Sequence, residues 1–488
     1  MKAEELLEGL KLKTVENSYA GKIKGISVDS RRVRPGYLFV AIKGEKLDGH
    51  DFVRQAIENG AKAVIMQKNI ALKKRTMKIW VDDTQSALAH VCASFFGHPQ
   101  QKLKVVGITG TNGKTTVSYL IEKILACAGR RSGIIGTVNY RMGDKEYQAI
   151  NTTPQADVLY PLLQEIVRSK SKYAIMEVSS HALAQGRIRG IDFSHAIFTN
   201  LSREHLDYHR DIYNYFSCKS SLFERLSGDA WSIINTDDPY GRRLIGKTKA
   251  RVLCFGTQSP AQIRAEKVKL NLKGSQFRAS TPKGNFNIST PLVGSHNVYN
   301  ILAAISFAFT ENIDRRQIVS ALESFEGVPG RLERVDCGED FFVFVDYAHT
   351  DAALEVVLRS IRKVCKKNII LVFGCGGNRD KTKRPRMGRL ACKFADSVII
   401  TSDNPRQEDP QSIVRDIKKG ISKKARNYEV IIDRYDAIVQ ALNLAGKQDV
   451  VIIAGKGHES QQIFAQRTIF FNDRKAVEEI ITCLRSGK

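Results

Sequence analysis

Short apolar runs recur along this chain at intervals long enough to hold a helix between them, and that rhythm predicts strands alternating with helices. Two strand-like runs, 25–29 and 37–42, flank a turn at Arg34-Pro35-Gly36. A polar stretch, 97–102, reads as a linker. Next come an apolar run at 105–108, a glycine-rich loop, and Val117, Leu120, Ile121, Ile124 and Leu125 at helical spacing, closed by Gly129: strand, loop, helix. Runs at 134–135, 173–176, 196–199 and 232–234 continue a parallel sheet. Residues 265–289 break the rhythm. There Val268, Leu270 and Leu272 alternate with polar neighbours, Lys273-Gly274 turns, and Phe277, Phe286 and Ile288 resume, which predicts a small antiparallel insertion. A helix over 299–309 precedes a boundary near Gly330, beyond which runs at 341–345, 369–373, 398–401, 430–432 and 450–454 predict a doubly wound α/β unit. The expected architecture is α/β in three domains, 1–100, 101–330 and 331–488.

Composition narrows the class. At roughly 150 residues per domain, 488 residues also favour three domains, and 42% hydrophobic with 26% charged residues excludes a disordered or fibrous chain. No apolar run approaches the roughly 18 residues of a membrane span. The charged start, Met-Lys-Ala-Glu-Glu, lacks the apolar stretch of a signal peptide, so a cytoplasmic location is expected. Nine cysteines without a C-x-x-C pair read as reduced thiols. The net charge of +25 favours anionic partners without choosing among nucleotides, polycarboxylates and nucleic acid. The basic clusters at 31–34 and 381–386 are short, and no aromatic-rich RNA motif or helix-turn-helix signature accompanies them, which weighs against a nucleic-acid-dependent ATPase.

The sharpest chemical signal is the loop Gly110-Thr111-Asn112-Gly113-Lys114-Thr115-Thr116. After a buried strand and before a helix, its backbone N–H groups and the helix dipole face phosphate oxygens; Lys114 offsets phosphate charge and Thr115 can ligate Mg²⁺. The spacing departs from the usual phosphate loop, because Ile108 stands where that pattern has a glycine. Glu177 leaves its apolar run where an α/β sheet exposes its ligand edge. His205 and His209 have the spacing of a zinc pair but lack H-E-x-x-H and a third soft ligand nearby.

Taken together with Glu177-Val178-Ser179-Ser180, Thr199-Asn200-Leu201, His205-Leu206-Asp207-Tyr208-His209, Gly294-Ser295-His296-Asn297-Val298-Tyr299-Asn300, Gly330-Arg331 and Asp346-Tyr347-Ala348-His349-Thr350, the loop resembles the Mur ligases over essentially the whole chain. That resemblance implies a small N-terminal α/β domain, a central ATPase-like parallel-sheet domain and a Rossmann-like C-terminal domain. It also implies ATP as co-substrate at Gly110 to Thr116, His296, Asn297, Asn300, Arg331 and Asp346. Mg²⁺ would be held by Thr115, Glu177, His205 and a carbamylated Lys219, with Lys114, Glu177, His205 and Lys219 as the catalytic set.

The resemblance further implies a UDP-N-acetylmuramoyl dipeptide at Ser30, Asn151, Thr152, Thr153, Ser179, Gln185 and Arg187. An amino-acid site would comprise Arg379, Asp403, Asn404, Pro405, Arg406, Gly455 and Glu459. Arg406 offers a bidentate fork to a distal carboxylate and Glu459 the opposite charge; Asp403-Asn404-Pro405-Arg406 is also the form that resembles the meso-diaminopimelate-adding type. The expected reaction is amide formation through an acylphosphate by a monomer. The competing readings are a lysine-adding relative, a folylpolyglutamate synthetase-like ligase and a nucleotide-binding scaffold without catalysis.

Overall fold

The computed structural model describes every residue except Ala71, Lys73, Lys74, Arg75, Ser259, Gly487 and Lys488. The described residues gather into two compact units, Met1–Gln262 with Ala303–Asp314, and Ile263–Leu302 with Arg315–Lys488. The helix Ser295–Thr310 runs from the second into the first.

The first unit opens with a five-stranded sheet of β1 (Thr14–Glu16), β2 (Gly25–Ser27), β3 (Tyr37–Val40), β4 (Ala63–Met66) and β5 (Met77–Trp80), in the order β1-β5-β4-β3-β2. β2 to β5 are parallel, and β1 pairs antiparallel with β5. Side chains alternate across the sheet: Leu38, Val40, Ala63 and Ile65 join one apolar cluster, and Phe39, Val64 and Met66 join another. Burial on both faces explains why the strands read as continuous apolar runs.

The larger sheet of this unit contains β6 (Lys104–Thr109), β7 (Ser132–Ile135), β8 (Asn139–Met142), β9 (Lys145–Gln148), β10 (Tyr173–Glu177), β11 (His195–Phe198), β12 (Trp231–Asn235) and β13 (Arg251–Gly256). Their order is β13-β12-β11-β6-β10-β7-β8-β9, with β8 and β9 as an antiparallel extension. The chain reverses direction across the sheet around β6, which lies between β10 and β11. That switch point places the carboxyl ends of the three strands side by side.

In the second unit β14 (Ile263–Asn271), β15 (Gly274–Thr281) and β16 (Gly284–Thr290) form the antiparallel meander. A second sheet follows: β17 (Glu333–Val335), β18 (Phe342–Asp346), β19 (Ile369–Phe373), β20 (Ser397–Ile400), β21 (Tyr428–Val430) and β22 (Val450–Ala454), in the order β17-β18-β22-β19-β20-β21. All but β17 are parallel, and β22 inserts between β18 and β19.

Local readings fail at three places. The 97–102 stretch contains a 3₁₀ turn, Pro99–Lys102, with Pro99 and Gln100 buried after His98 turns the chain at φ 53°. The charged hairpin β8–β9 escapes an apolar pattern because every β9 residue is exposed. In β14 the register shifts between Glu266 and Lys269, so Ile263 and Ala265 are buried whereas Val268 faces solvent. All nine cysteines are free, and among the described residues no helix is long and apolar enough to cross a membrane.

Candidate active site

The phosphate loop leaves β6 and enters the helix Lys114–Cys127. Its shape is held by the loop after β11. The Thr111 backbone N–H donates to the Asn200 carbonyl at 2.9 Å, Asn112 N–H to Asn200 Oδ1 at 3.0 Å, and the Thr199 hydroxyl to the Asn112 carbonyl at 2.6 Å. Thr199-Asn200 thus acts as a clamp on the loop. Lys114 Nζ donates to the carbonyls of Gly110 and Thr111 at 3.0 and 2.8 Å, which folds the ammonium over its own loop.

At the end of β10, Glu177 is 1% exposed, and its carboxylate is fixed by three donors. The Thr115 hydroxyl reaches Oε2 at 3.0 Å, the Thr137 hydroxyl reaches Oε2 at 2.9 Å, and the Thr137 N–H reaches Oε1 at 2.9 Å. The phosphate-loop threonine and the strand-end acid are therefore in direct contact. Thr137, just past the end of β7, escaped the motif reading; its signal was its place at the ligand edge of the sheet.

Lys219 lies on the helix Ile212–Glu224 and is 1% exposed. Its Nζ donates to the Gly110 carbonyl at 2.9 Å and sits 4.7 Å from the Tyr215 ring centre. Burial, reinforced by the charge on Lys114, holds its pKa well below the ordinary lysine value, which favours a neutral, nucleophilic amine. His205 caps the short helix Leu206–His209 in the left-handed conformation, φ 54°. Its ring is 4.8 Å from His181, which also packs against Tyr208 and His209. Burial lowers the pKa of both His181 and His205, and each feels its charged neighbours. The aromatic group formed by His181, Tyr208, His209 and Tyr215 around His205 was not read as a cluster, since its members come from three separate segments.

Most of the residues expected at the UDP-linked substrate form one network beside Glu177. The Thr152 and Thr137 hydroxyls are 3.0 Å apart, and the Thr153 hydroxyl donates to the Glu177 carbonyl at 2.8 Å and accepts from Ser179 N–H at 3.1 Å. Arg187 donates to the Thr153 carbonyl at 2.9 Å and, through Nε and Nη2, to Gln185 Oε1 at 2.9 and 2.6 Å. Gln185 in turn reaches Glu45 at 3.2 Å. Asn151 bonds Tyr140 instead, its backbone carbonyl accepting from the Tyr140 hydroxyl at 2.6 Å. Ser30 is apart from this network; its hydroxyl donates to Gln55 at 2.6 Å within the N-terminal sheet layer.

In the second unit, Asn297 donates to the Val293 carbonyl at 2.9 Å and accepts from Asn300 at 3.0 Å, while His296 Nδ1 lies 3.2 Å from the Ser360 hydroxyl. Asp346, at the end of β18, accepts from the N–H groups of Leu332 and Ala348 at 2.7 and 2.8 Å; burial raises its pKa. Arg331 stacks on Tyr347, 4.9 Å from the ring centre.

Polar groups also gather at the carboxyl ends of β19, β20 and β22. Asn404 donates to Glu459 Oε2 at 2.6 Å, and Asp403 Oδ1 accepts from the Asn404 N–H at 2.6 Å. Arg406 takes φ 53°, which carries its side chain back so that Nη1 donates to the carbonyls of Gly377 and Asn404 at 3.0 and 3.3 Å. Gly377 accepts this bond while its own N–H donates to the Asn404 carbonyl at 2.9 Å, and that pair ties Pro405 and Arg406 to the loop after β19. Arg379, on that loop, is exposed.

Comparison with known proteins matches residues 22–96 to the Mur ligase family, catalytic domain, residues 108–308 to the Mur ligase middle domain, and residues 330–457 to the Mur ligase, glutamate ligase domain. A relative from Syntrophomonas wolfei, named UDP-N-acetylmuramoyl-L-alanyl-D-glutamate--2,6-diaminopimelate ligase, is 43% identical over 99% of each chain. One of the same name from Bacillus licheniformis is 42% identical over 96% of this chain and 97% of its own. A solved structure of a protein of that name, 31% identical, covers 98% of this chain and 99% of its own with a TM-score of 0.70. Folylpolyglutamate synthase from Mycobacterium tuberculosis, 18% identical over 83% of this chain and 95% of its own, shares the fold with a TM-score of 0.63. With its phosphate loop, strand-end acid and buried lysine in one site, and relatives of such identity along its whole length, this chain belongs to the Mur ligase family.

Proposed function

We propose that this chain is an ATP-dependent ligase that joins meso-diaminopimelate to UDP-N-acetylmuramoyl-L-alanyl-D-glutamate. The observation that carries the reading is the convergence of Arg406, Asn404 and Glu459 at one sheet edge, in a chain 43% identical over its length to a ligase named for diaminopimelate. A guanidinium suits the distal carboxylate of such a substrate, and the Asn404–Glu459 pair suits its ammonium.

The chemistry follows from the charges each step creates. A glutamyl carboxylate oxygen attacks the γ-phosphorus of ATP, the bond to the bridging oxygen of ADP breaks, and an acylphosphate forms. The free amine of diaminopimelate then attacks the acyl carbon; phosphate leaves, the nitrogen loses its proton and an amide remains. Lys114 and the backbone of the phosphate loop offset the charge on the transferring group. Thr152, Thr153, Ser179, Gln185 and Arg187 hold the muramoyl peptide beside Glu177, so that the reacting oxygen is oriented before the attack. We assign Ser30 and Asn151 to the same substrate, and His296, Asn297, Asn300, Arg331 and Asp346 to the nucleotide.

The donor set fits Mg²⁺, since the Thr115 hydroxyl and Glu177 carboxylate are hard oxygen ligands 3.0 Å apart; His205 and Lys219 complete the proposed set. Bound there, Mg²⁺ would neutralise phosphate-oxygen charge. The desolvated Lys219 amine suits carbamylation: nitrogen adds to the carbon of CO₂, a proton leaves, and an anionic oxygen ligand replaces a neutral amine. We assign 1–100 to the UDP-linked substrate, 101–330 to ATP and 331–488 to the amino acid, in a monomer acting in the cytoplasm.

The test supplies purified protein with ATP, Mg²⁺ and the UDP-muramoyl dipeptide and measures ADP and amide product with meso-diaminopimelate, L-lysine or L-glutamate. Diaminopimelate should give the largest kcat/KM. Preference for lysine overturns the specificity, and no product with any amine overturns the ligase.

A further inference from the structure

Gly455-Lys456-Gly457 follows β22, and both glycines take positive φ, 115° and 54°. A Cβ at Gly455 would stand 2.6 Å from Asp403 Oδ2, and one at Gly457 would stand 2.7 Å from Cβ of Tyr347. The two glycines therefore turn the strand end tightly beneath the amino-acid site, and Lys456 between them points inward. It is 0% exposed. Its three ammonium protons meet three acceptors: the Gln461 carbonyl at 2.6 Å, Asn404 Oδ1 at 3.3 Å and Glu459 Oε2 at 3.3 Å. Asn404 Oδ1 also accepts from the Ile463 N–H at 2.9 Å, which settles the orientation of the amide and aims its NH₂ at Glu459.

We infer that Lys456 is a positioning residue that locks Asn404 and Glu459 in the geometry that receives the amine substrate, and that its charge helps to exclude lysine. The inference rests on the reading of this edge as the diaminopimelate site. Both bonds to the Glu459 carboxylate fall on Oε2, so among the described residues Oε1 is left to accept from a ligand. An acid held in this way loses no side-chain freedom on binding, which strengthens each hydrogen bond it makes. Lys456, Arg379 and Arg406 stand against Asp403 and Glu459, while Arg434 beneath them is closed by Asp473 at 2.7 and 2.8 Å. These five groups thus sum to one surplus positive charge. Diaminopimelate is neutral overall, with two ammonium and two carboxylate groups, whereas lysine brings a net positive charge and is repelled.

Lys456→Met is compared with the native protein in the amide-forming assay. KM for meso-diaminopimelate should rise roughly ten- to hundredfold, the scale of lost bonds to a charged group, with KM for ATP and for the UDP-linked substrate unchanged within about twofold. The ratio of diaminopimelate to lysine kcat/KM should fall. In a Glu459→Gln background the same change should add less than about threefold, because the two residues act as a unit. An unchanged KM for diaminopimelate, or fully additive losses, overturns the inference. If Lys456→Met does not fold, Lys456→Gln keeps a donor in the cavity and takes its place; loss of folding in both makes the lysine structural and equally overturns it. Native protein that makes no product with diaminopimelate refutes the functional reading itself, whereas active native protein with an indifferent Lys456→Met variant refutes only the role of Lys456.

Discussion

Thr137→Val removes one atom from the hold on Glu177 and leaves the rest. The hydroxyl that donates to Oε2 at 2.9 Å and meets Thr152 at 3.0 Å is lost, while the Thr137 backbone N–H to Oε1, 2.9 Å, and the Thr115 bond, 3.0 Å, persist. A hydrogen bond to an ionised group contributes about 1.5–3 kcal/mol. Thr137 is half-buried, so water recovers part of that, and a net cost of about 1–2 kcal/mol, or roughly five- to thirtyfold in kcat/KM, follows. Because Glu177 is the proposed metal ligand, the loss should appear as a lower kcat and a higher Mg²⁺ concentration at half-maximal rate, with diaminopimelate KM unaffected. Steady-state ADP release across a Mg²⁺ titration reads both, and Thr137→Ser, which keeps the hydroxyl, should recover the native values. A Thr137→Val enzyme with native activity at limiting Mg²⁺ would refute the idea that this hydroxyl orients the carboxylate.

Other predictions concern the lysine, a histidine and a buried ion pair. Native activity should fall in CO₂-depleted buffer and return with bicarbonate, whereas Lys219→Arg should be slow in both; equal sensitivity of the two proteins would remove the carbamate from the scheme. Burial depresses the His195 pKa to about 4, so between pH 6.5 and 4 the unfolded chain binds a proton that the folded one does not. Its contribution is complete above pH 6.5 and is lost as pH falls, at up to about 1.4 kcal/mol per pH unit, and urea unfolding of His195→Gln should show a correspondingly shallower slope. An unchanged slope would contradict that sign. Arg434→Met strands the buried Asp473 carboxylate and should cost about 3–5 kcal/mol of stability in chemical unfolding, most of it restored by adding Asp473→Leu; a variant as stable as the native protein would show the pair to be dispensable.

The motifs were legible where chemistry is compressed into neighbouring residues. A phosphate loop needs a strand, a tight turn, a lysine and a hydroxyl within a few positions, so Gly110 to Thr116 could be proposed as one from the letters alone. Thr137 and Lys456 carry no such local mark. Each matters through a partner distant in the chain, Glu177 for one and Asn404 for the other. The register shift in β14 was equally hidden, because period-two alternation continues in the letters after the backbone has slipped.

Alternation of apolar runs and helical segments by itself determined the α/β class, most of the parallel strands beyond residue 100 and the antiparallel insertion, because burying both faces of a parallel sheet demands that pattern wherever the strands end up, whereas β4, β5 and β13 went unread. It left the order of strands open. Tertiary structure decided that β6 lies between β10 and β11, and β22 between β18 and β19, and only that ordering brings Thr115 to Glu177 and Lys456 to Asn404. Hydrophobic periodicity encodes which face of a strand is dry, whereas contact between strand ends depends on crossovers whose connections run through helices that look alike from either side.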